Sequence, residues 1–140
     1  LDARLRCMIG AWLSMVGIVS GTRLGASHAI GHILGGSANV PHGHTSCLML
    51  PYVLEYNAPV NGGRQREVAT ALGQPNTPPA RILDAFIRDL GMPRTLRDVK
   101  IDAADLPRLA KNCMLDDWTY SNPRPISSTE QVMEILRAAY

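Results

Sequence analysis

From about Ala3 to Val19 the apolar residues Leu5, Met8, Ile9, Trp12, Leu13 and Val16 recur at helical spacing, with further apolar side chains on the other faces. Such a helix is expected to be deeply buried. Arg4 and Arg6 ahead of the run Cys7–Val19 imitate a secretory leader. The run falls short of the roughly 20 residues a membrane span needs, so a buried helix is the reading adopted. Gly21 and Gly25 punctuate the chain before a second helical segment that carries His28 and His32 and ends at Gly35–Gly36. A third helix is expected from Thr45 towards Asn57, kinked at Pro51. Pro59 and the pair Gly62–Gly63 then precede a short helix, Arg64 to Leu72, and Gly73–Pro79, with three prolines, reads as a loop.

The second half is punctuated more sharply. Ile82, Leu83, Phe86, Ile87 and Leu90 form an apolar stripe that stops at Gly91, with Pro93 behind it. Asp102 is placed to cap a helix from Ala103 to about Leu115, whose Leu106, Leu109, Ala110 and Cys113 share one side. Ser127 and Glu130 read as a capping box ahead of Val132, Met133, Ile135 and Leu136, so the chain ends in a helix. No segment sustains period-two alternation. The expected fold class is all-α, a helical bundle-like domain.

Composition narrows the picture. At 140 residues, 46% hydrophobic and 19% charged, the chain suits one folded domain with a core. Its net charge of +2 comes from scattered arginines, and two Trp, four Tyr and one Phe are few for stacking on bases, so no nucleic-acid partner is expected. Cys7, Cys47 and Cys113 lie far apart without a CxxC pair, which suits reduced core thiols and a cytoplasmic location. Met8, Met15, Met49 and Met133 read as core filling. No membrane partner is expected.

All four histidines, His28, His32, His42 and His44, fall in the stretch Leu24–Leu54, which contains no Asp, Glu, Lys or Arg. Neutral imidazole is the commonest side-chain ligand of transition metals. His28 and His32 are spaced to stand one above the other on a helix, with Cβ atoms roughly 5–6 Å apart. The loop Ser37–Pro41 is long enough to bring His42 back to the same pocket. Structural metal sites need about four protein ligands and catalytic ones about three, so these histidines amount to half a site.

The segment Gly25-Ala-Ser-His28-Ala-Ile-Gly-His32-Ile-Leu-Gly-Gly36, then Val40-Pro-His42-Gly43 and Leu50-Pro-Tyr-Val-Leu-Glu-Tyr-Asn57, resembles the signature of the iron-containing alcohol dehydrogenase family. The likeness continues through Gly91-Met-Pro-Arg-Thr-Leu-Arg-Asp98 and Asn122-Pro-Arg-Pro-Ile126 to the terminal helix. It implies a dehydroquinate synthase-like architecture when complete, with an N-terminal α/β domain for the dinucleotide and a C-terminal all-helical domain for the metal. Residues 1–140 would be part of the second domain, and the dinucleotide-binding domain would lie outside this chain. By motif position the resemblance makes His28 and His42 metal ligands and puts His32 beside the nicotinamide and substrate, as a catalytic and cofactor-binding residue. The family's upstream Asp-x-x-x-His has no counterpart, since Asp2 is followed four positions on by Arg6. His44 matches no ligand position and reads as a loop residue, and Asn122 and Arg124 as shaping a proline-rich turn.

The activity implied is hydride transfer between NAD(P)H and a small alcohol, aldehyde or oxoacid, with Fe²⁺ or Zn²⁺ as Lewis acid and a homodimer possible at full length. Leu34-Gly-Gly36, Tyr56-Asn-Ala-Pro59, Leu96-Arg-Asp98 and Asn122-Pro-Arg-Pro-Ile126 look closer to the maleylacetate reductases, which implies enoate reduction without a metal. His42-Gly43 looks closer to the metal-dependent dehydrogenases. A non-catalytic metal-binding or interaction remnant, inactive alone, is the remaining alternative.

Overall fold

The computed structural model describes residues 1–140, and its regular structure is entirely helical. The helices are α1 (Asp2–Val19), α2 (Ala26–Ala38), α3 (His42–Ala71), α4 (Pro79–Asp89), α5 (Leu106–Cys113), α6 (Asp117–Tyr120) and α7 (Thr129–Ala138), with a 3₁₀ turn at Ala103–Asp105. Ile30 and Leu34 of α2, Leu48, Met49 and Val53 of α3, Leu109 and Cys113 of α5, and Val132, Ile135 and Leu136 of α7 belong to one buried cluster. Helix α2 lies centrally in it, packed on α3, α5 and α6, while α7 covers α5. Leu96 joins the cluster from the loop after α4 and ties it to the C-terminus, its N–H donating to the Ala139 carbonyl at 2.8 Å.

Two close contacts set how α2 sits. A Cβ on Gly31 would come within 3.1 Å of Thr45 Oγ1, and Thr45 is fully buried with its hydroxyl donating to the His42 carbonyl at 2.8 Å. Glycine therefore lets the two helix backbones approach. At the other end, the buried carboxamides of Asn57 and Asn122 pair reciprocally, Asn122 Nδ2 to Asn57 Oδ1 at 2.7 Å and Asn57 Nδ2 to Asn122 Oδ1 at 3.2 Å. Asn122 Oδ1 also accepts from the Ala26 N–H, the first amide of α2, at 3.2 Å. A Cβ at Gly25 would stand 3.0 Å from that same oxygen, so a side chain ahead of the helix would press on the Asn122 carboxamide. Asn122 is thus a clamp joining α2 and α3, beyond the turn-shaping part expected of it.

Several expectations need correction. The first helix forms over the expected residues, but every one of its side chains is exposed, Trp12 at 71%. Periodicity reveals that a helix has apolar faces, and says nothing of where their cover comes from. With α1 outside the core, Met8, Met15 and Cys7 are exposed, and Cys47 is half-buried. Met49 and Cys113 are buried and Met133 partly so, as expected. No helix is long and apolar enough to cross a membrane.

Helix α2 runs past Gly35–Gly36 to Ala38 and closes on Asn39 in the left-handed region (φ 54°), which asparagine tolerates. The two helices expected over Thr45–Asn57 and Arg64–Leu72 both form within α3, joined at a kink where Asn61 leaves the helical region (φ −126°, ψ 18°); the kink expected at Pro51 is absent, the backbone staying helical there and at Pro59. Proline at 51 removes the donor for the Cys47 carbonyl four residues back. Arg88 of α4 replaces it, Nη2 donating to Cys47 O at 3.4 Å, while its Nε holds Asp84 at 3.1 Å and its Nη1 donates to the Met92 and Pro93 carbonyls.

The stop at Gly91 (φ 74°) and the Asp102 cap, whose side chain accepts from the Ala104 N–H at 3.0 Å, are as expected. The helix expected to run to about Leu115 ends at Cys113 and is followed by the unforeseen α6. The terminal capping box lies one residue later than Ser127/Glu130: Ser128 is the N-cap, and Gln131 Oε1 accepts from the Ser127 and Ser128 amides at 2.8 and 3.1 Å.

Burial pushes the Cys113 thiol up to about 12, with the Asp116 charge adding to the effect. Thiol labelling at pH 8 should therefore modify Cys7 quickly and Cys47 more slowly, and reach Cys113 only after unfolding; prompt labelling of Cys113 would contradict the packing. In urea titrations Asn122→Ala, which strips partners from the Ala26 amide and Asn57, should destabilise the fold by about 2–3 kcal/mol. Trp12→Ala should change it by less than about 0.5 kcal/mol.

Candidate functional site

The clamp on the first turn of α2 decides where the histidines point. His28 lies on that first turn and His32 one turn further along, and both rings meet Trp118 of α6. The His32 ring lies 4.7 Å from the indole with a 36° tilt. His28 meets it edge-on at 6.0 Å and 80°. Their four-residue spacing thus does bring them to one face, and a tryptophan forms its floor.

Asp116 holds this arrangement through both of its oxygens. Oδ1 caps α6 by accepting from the Trp118 N–H at 2.9 Å, which fixes the indole. Oδ2 lies 2.7 Å from His32 Nδ1. A carboxylate only accepts, so the shared proton resides on Nδ1, and Nε2 of a neutral His32 carries a free lone pair. The His32 side chain is 40% exposed, and the ring makes its one hydrogen bond within the chain through Nδ1.

His28 is half-buried, and burial holds its pKa below the usual imidazole range, with the neighbouring His32 and His42 lowering it further. It is therefore disposed to be neutral, the form that binds metals. His42, the first residue of α3 after Pro41, is exposed and close enough for its charge to act on His28. Metal-donor side chains do not come together in groups of three or more. Two imidazoles with no free carboxylate beside them fit part of a divalent-metal site, because Asp116 is committed to His32 and Asp2 stands on the exposed α1. His44 is half-buried and has no part in the cluster.

Beside His28 opens a cleft of about 280 Å³, walled by Leu50, Val53 and Leu54 of α3 and closed by Asn57 and Asn122. Sequence reasoning missed Asp116 and Trp118 as site residues. Their signal, an aspartate at a helix start following the Leu106–Cys113 stripe, identifies a cap and gives no hint of a histidine 84 positions away.

The whole chain, residues 1–140, matches the family model described as "Fe-containing alcohol dehydrogenase family, C-terminal". It is 31% identical to lactaldehyde reductase of Escherichia coli (strain K12), over 99% of this chain and 38% of that protein. To maleylacetate reductase of Pseudomonas aeruginosa it is 35% identical, over 100% and 38% respectively. The solved alcohol dehydrogenase from Oenococcus oeni superposes with a TM-score of 0.71 at 31% identity, covering 84% of this chain and 33% of that one. The chain thus spans about two-fifths of the curated relatives it matches. With its full length matched and its histidine motif built into this helical core, the chain belongs to the iron-containing alcohol dehydrogenase family, in whose C-terminal region it lies.

Proposed function

We propose that these residues form the helical metal- and substrate-facing part of a cytoplasmic NAD(P)-dependent oxidoreductase, whose dinucleotide-binding domain precedes them and which assembles as a homodimer. The substrate is a small alcohol, aldehyde or oxoacid. One observation carries the reading: a histidine with one nitrogen fixed by a carboxylate, the other unbonded within the chain, and an aromatic floor beneath, in a chain of this family. When bound, the nicotinamide supplies the hydride and a divalent metal, Fe²⁺ or Zn²⁺, polarises the substrate oxygen.

The chain's own residues do the remainder. His28 and His42 are the metal ligands, and His28 is disposed to stay neutral by the burial and the neighbouring histidines that lower its pKa. His32 takes a proton at Nε2 from the alcohol, or returns it to the reduced carbonyl, while Asp116 keeps Nδ1 protonated and the ring aligned. Trp118 fixes the plane of the His32 ring and shields one face of it from water.

A second reading is favoured by the 35% identity to a maleylacetate reductase: reduction of an enoate without a metal, in which His28 and His42 only line the cleft. Chelation separates the two. In the polypeptide that joins this chain to its dinucleotide domain, NAD(P)H-dependent turnover should be lost on chelation and restored by Fe²⁺ or Zn²⁺, and His42→Ala should lower it by about a hundredfold or more. Turnover that survives chelation intact favours the second reading, and a polypeptide that neither binds nor oxidises NAD(P)H overturns both.

Asp116 supplies an independent check. Asp116→Ala should lower kcat by about ten- to a hundredfold with KM little changed, and Asp116→Asn, whose single amide oxygen keeps the α6 cap while its NH2 donor faces Nδ1, should favour the opposite His32 tautomer and leave the loss unrepaired. Ring ¹⁵N NMR should find His32 protonated at Nδ1 in the wild type and mixed between tautomers in Asp116→Ala. A wild-type His32 protonated at Nε2 would sink the role assigned to Asp116.

A further inference from the structure

The cleft beside His28 carries hydrogen-bond donors that no group of the chain accepts. At its mouth is Arg23, whose guanidinium enters none of the ion pairs of the fold. Next to it is Ser27, only 8% exposed, whose hydroxyl makes no hydrogen bond within the protein and lines the cleft. The third donor is backbone. Among the first amides of α2, that of Ala26 is taken by Asn122 and those of His28 and Ala29 by the Gly25 carbonyl, which leaves the Ser27 N–H. The helix begins on a glycine and has no acidic residue in its first turn, so apart from the neutral Asn122 carboxamide no negative group of its own sequence answers its positive end.

Apart from His28, which the reading above gives to the metal, the other polar side chains at the cleft are already engaged. Asn57 and Asn122 bind each other, and the Ser121 hydroxyl donates to the Leu24 carbonyl. No Asp or Glu lines the cleft, and none occurs in sequence between Leu24 and Leu54. Three unspent donors, one of them cationic, thus face a pocket whose opposite wall is Leu50, Val53 and Leu54. A neutral alcohol would leave Arg23 and the helix terminus unanswered, whereas a carboxylate takes all three donors at once.

We propose that this cleft is a carboxylate subsite, with Arg23, the Ser27 hydroxyl and the Ser27 N–H holding the acid group of an oxoacid substrate while its short carbon chain lies on the leucine and valine wall. The assignment rests on the oxidoreductase reading above for which atom reacts, and on the cleft alone for what binds. It makes the enzyme's substrate a carbonyl compound carrying a carboxylate, in preference to a simple alcohol or aldehyde.

The test compares 4-oxopentanoate with its neutral amide, 4-oxopentanamide, by titrating each into the intact chain and following backbone amide shifts by NMR. The carboxylate should bind at least about tenfold more tightly, with the largest shifts at Ser27 and its neighbours. Arg23→Gln combined with Ser27→Ala should remove that preference, the carboxylate losing about tenfold or more in affinity and the amide much less. Equal binding of the two probes, or a preference that survives the double variant, overturns the subsite. NAD(P)H oxidation in the polypeptide with its dinucleotide domain is scored separately. A carboxylate preference without turnover defeats the oxidoreductase reading and leaves the subsite standing, while turnover of aldehydes and oxoacids alike, without preference, does the reverse.

Discussion

A pair of buried carboxamides holds the rest of this structure in place. Asn57 and Asn122, 65 positions apart, satisfy each other in both directions, and Asn122 has an acceptor left for the first amide of α2. Asn57 Oδ1 also receives the Arg124 N–H at 3.3 Å, and the Arg124 guanidinium lies over the Tyr56 ring at 4.0 Å. Breaking the pair would strand several polar groups away from water, each at a cost of about 1–3 kcal/mol, so the arrangement is satisfied as a whole or lost as a whole. Because one member touches α2 directly, the pair sets the helix start and therefore the direction of every side chain on its first turns. His28, Ser27 and the adjacent cleft inherit their geometry from it.

Below that clamp, the site is economical in its parts. One aspartate serves as a helix cap and as a histidine anchor, so the same side chain places the indole and orients the imidazole that rests on it. A four-residue helix such as α6 has little stability of its own. Its cap and its contact with α2 are what hold it, and the histidine partner is part of that contact. Chemistry and local folding share the same bonds here.

Local signals in the sequence carried far. The helical class, the shared face of His28 and His32, the stop at Gly91, the Asp102 cap and the buried stripe Leu106, Leu109, Ala110 and Cys113 all depend on residues within a few positions of each other, where spacing is informative. Failures occurred where a distant partner decided the outcome. Pro51 looked like a kink because the arginine that answers the carbonyl it orphans, that of Cys47, lies 41 residues beyond Cys47. Trp118 and Asp116 carried no sign of the histidines they serve, since only the docking of α6 on α2 brings them together. Helix α1 was expected inside because its pattern is apolar, yet no element within these 140 residues packs against its faces. The histidine motif was legible as a family signature, whereas the donors at its edge, Arg23 and Ser27, needed coordinates to be recognised as unspent.

The repair at Pro51 also bears on how this domain opens. Helix α3 cannot complete its own backbone bonding: the Cys47 carbonyl waits for an arginine that belongs to α4, and that arginine is itself held by Asp84 and by the Met92 and Pro93 carbonyls beyond the helix end. Withdrawing α4 therefore exposes a defect in the middle of α3, next to the turns that carry Leu50, Val53 and Leu54. The two helices form a single unit of local unfolding, and a fluctuation that begins on the outer surface of α4 is felt on the wall of the cleft.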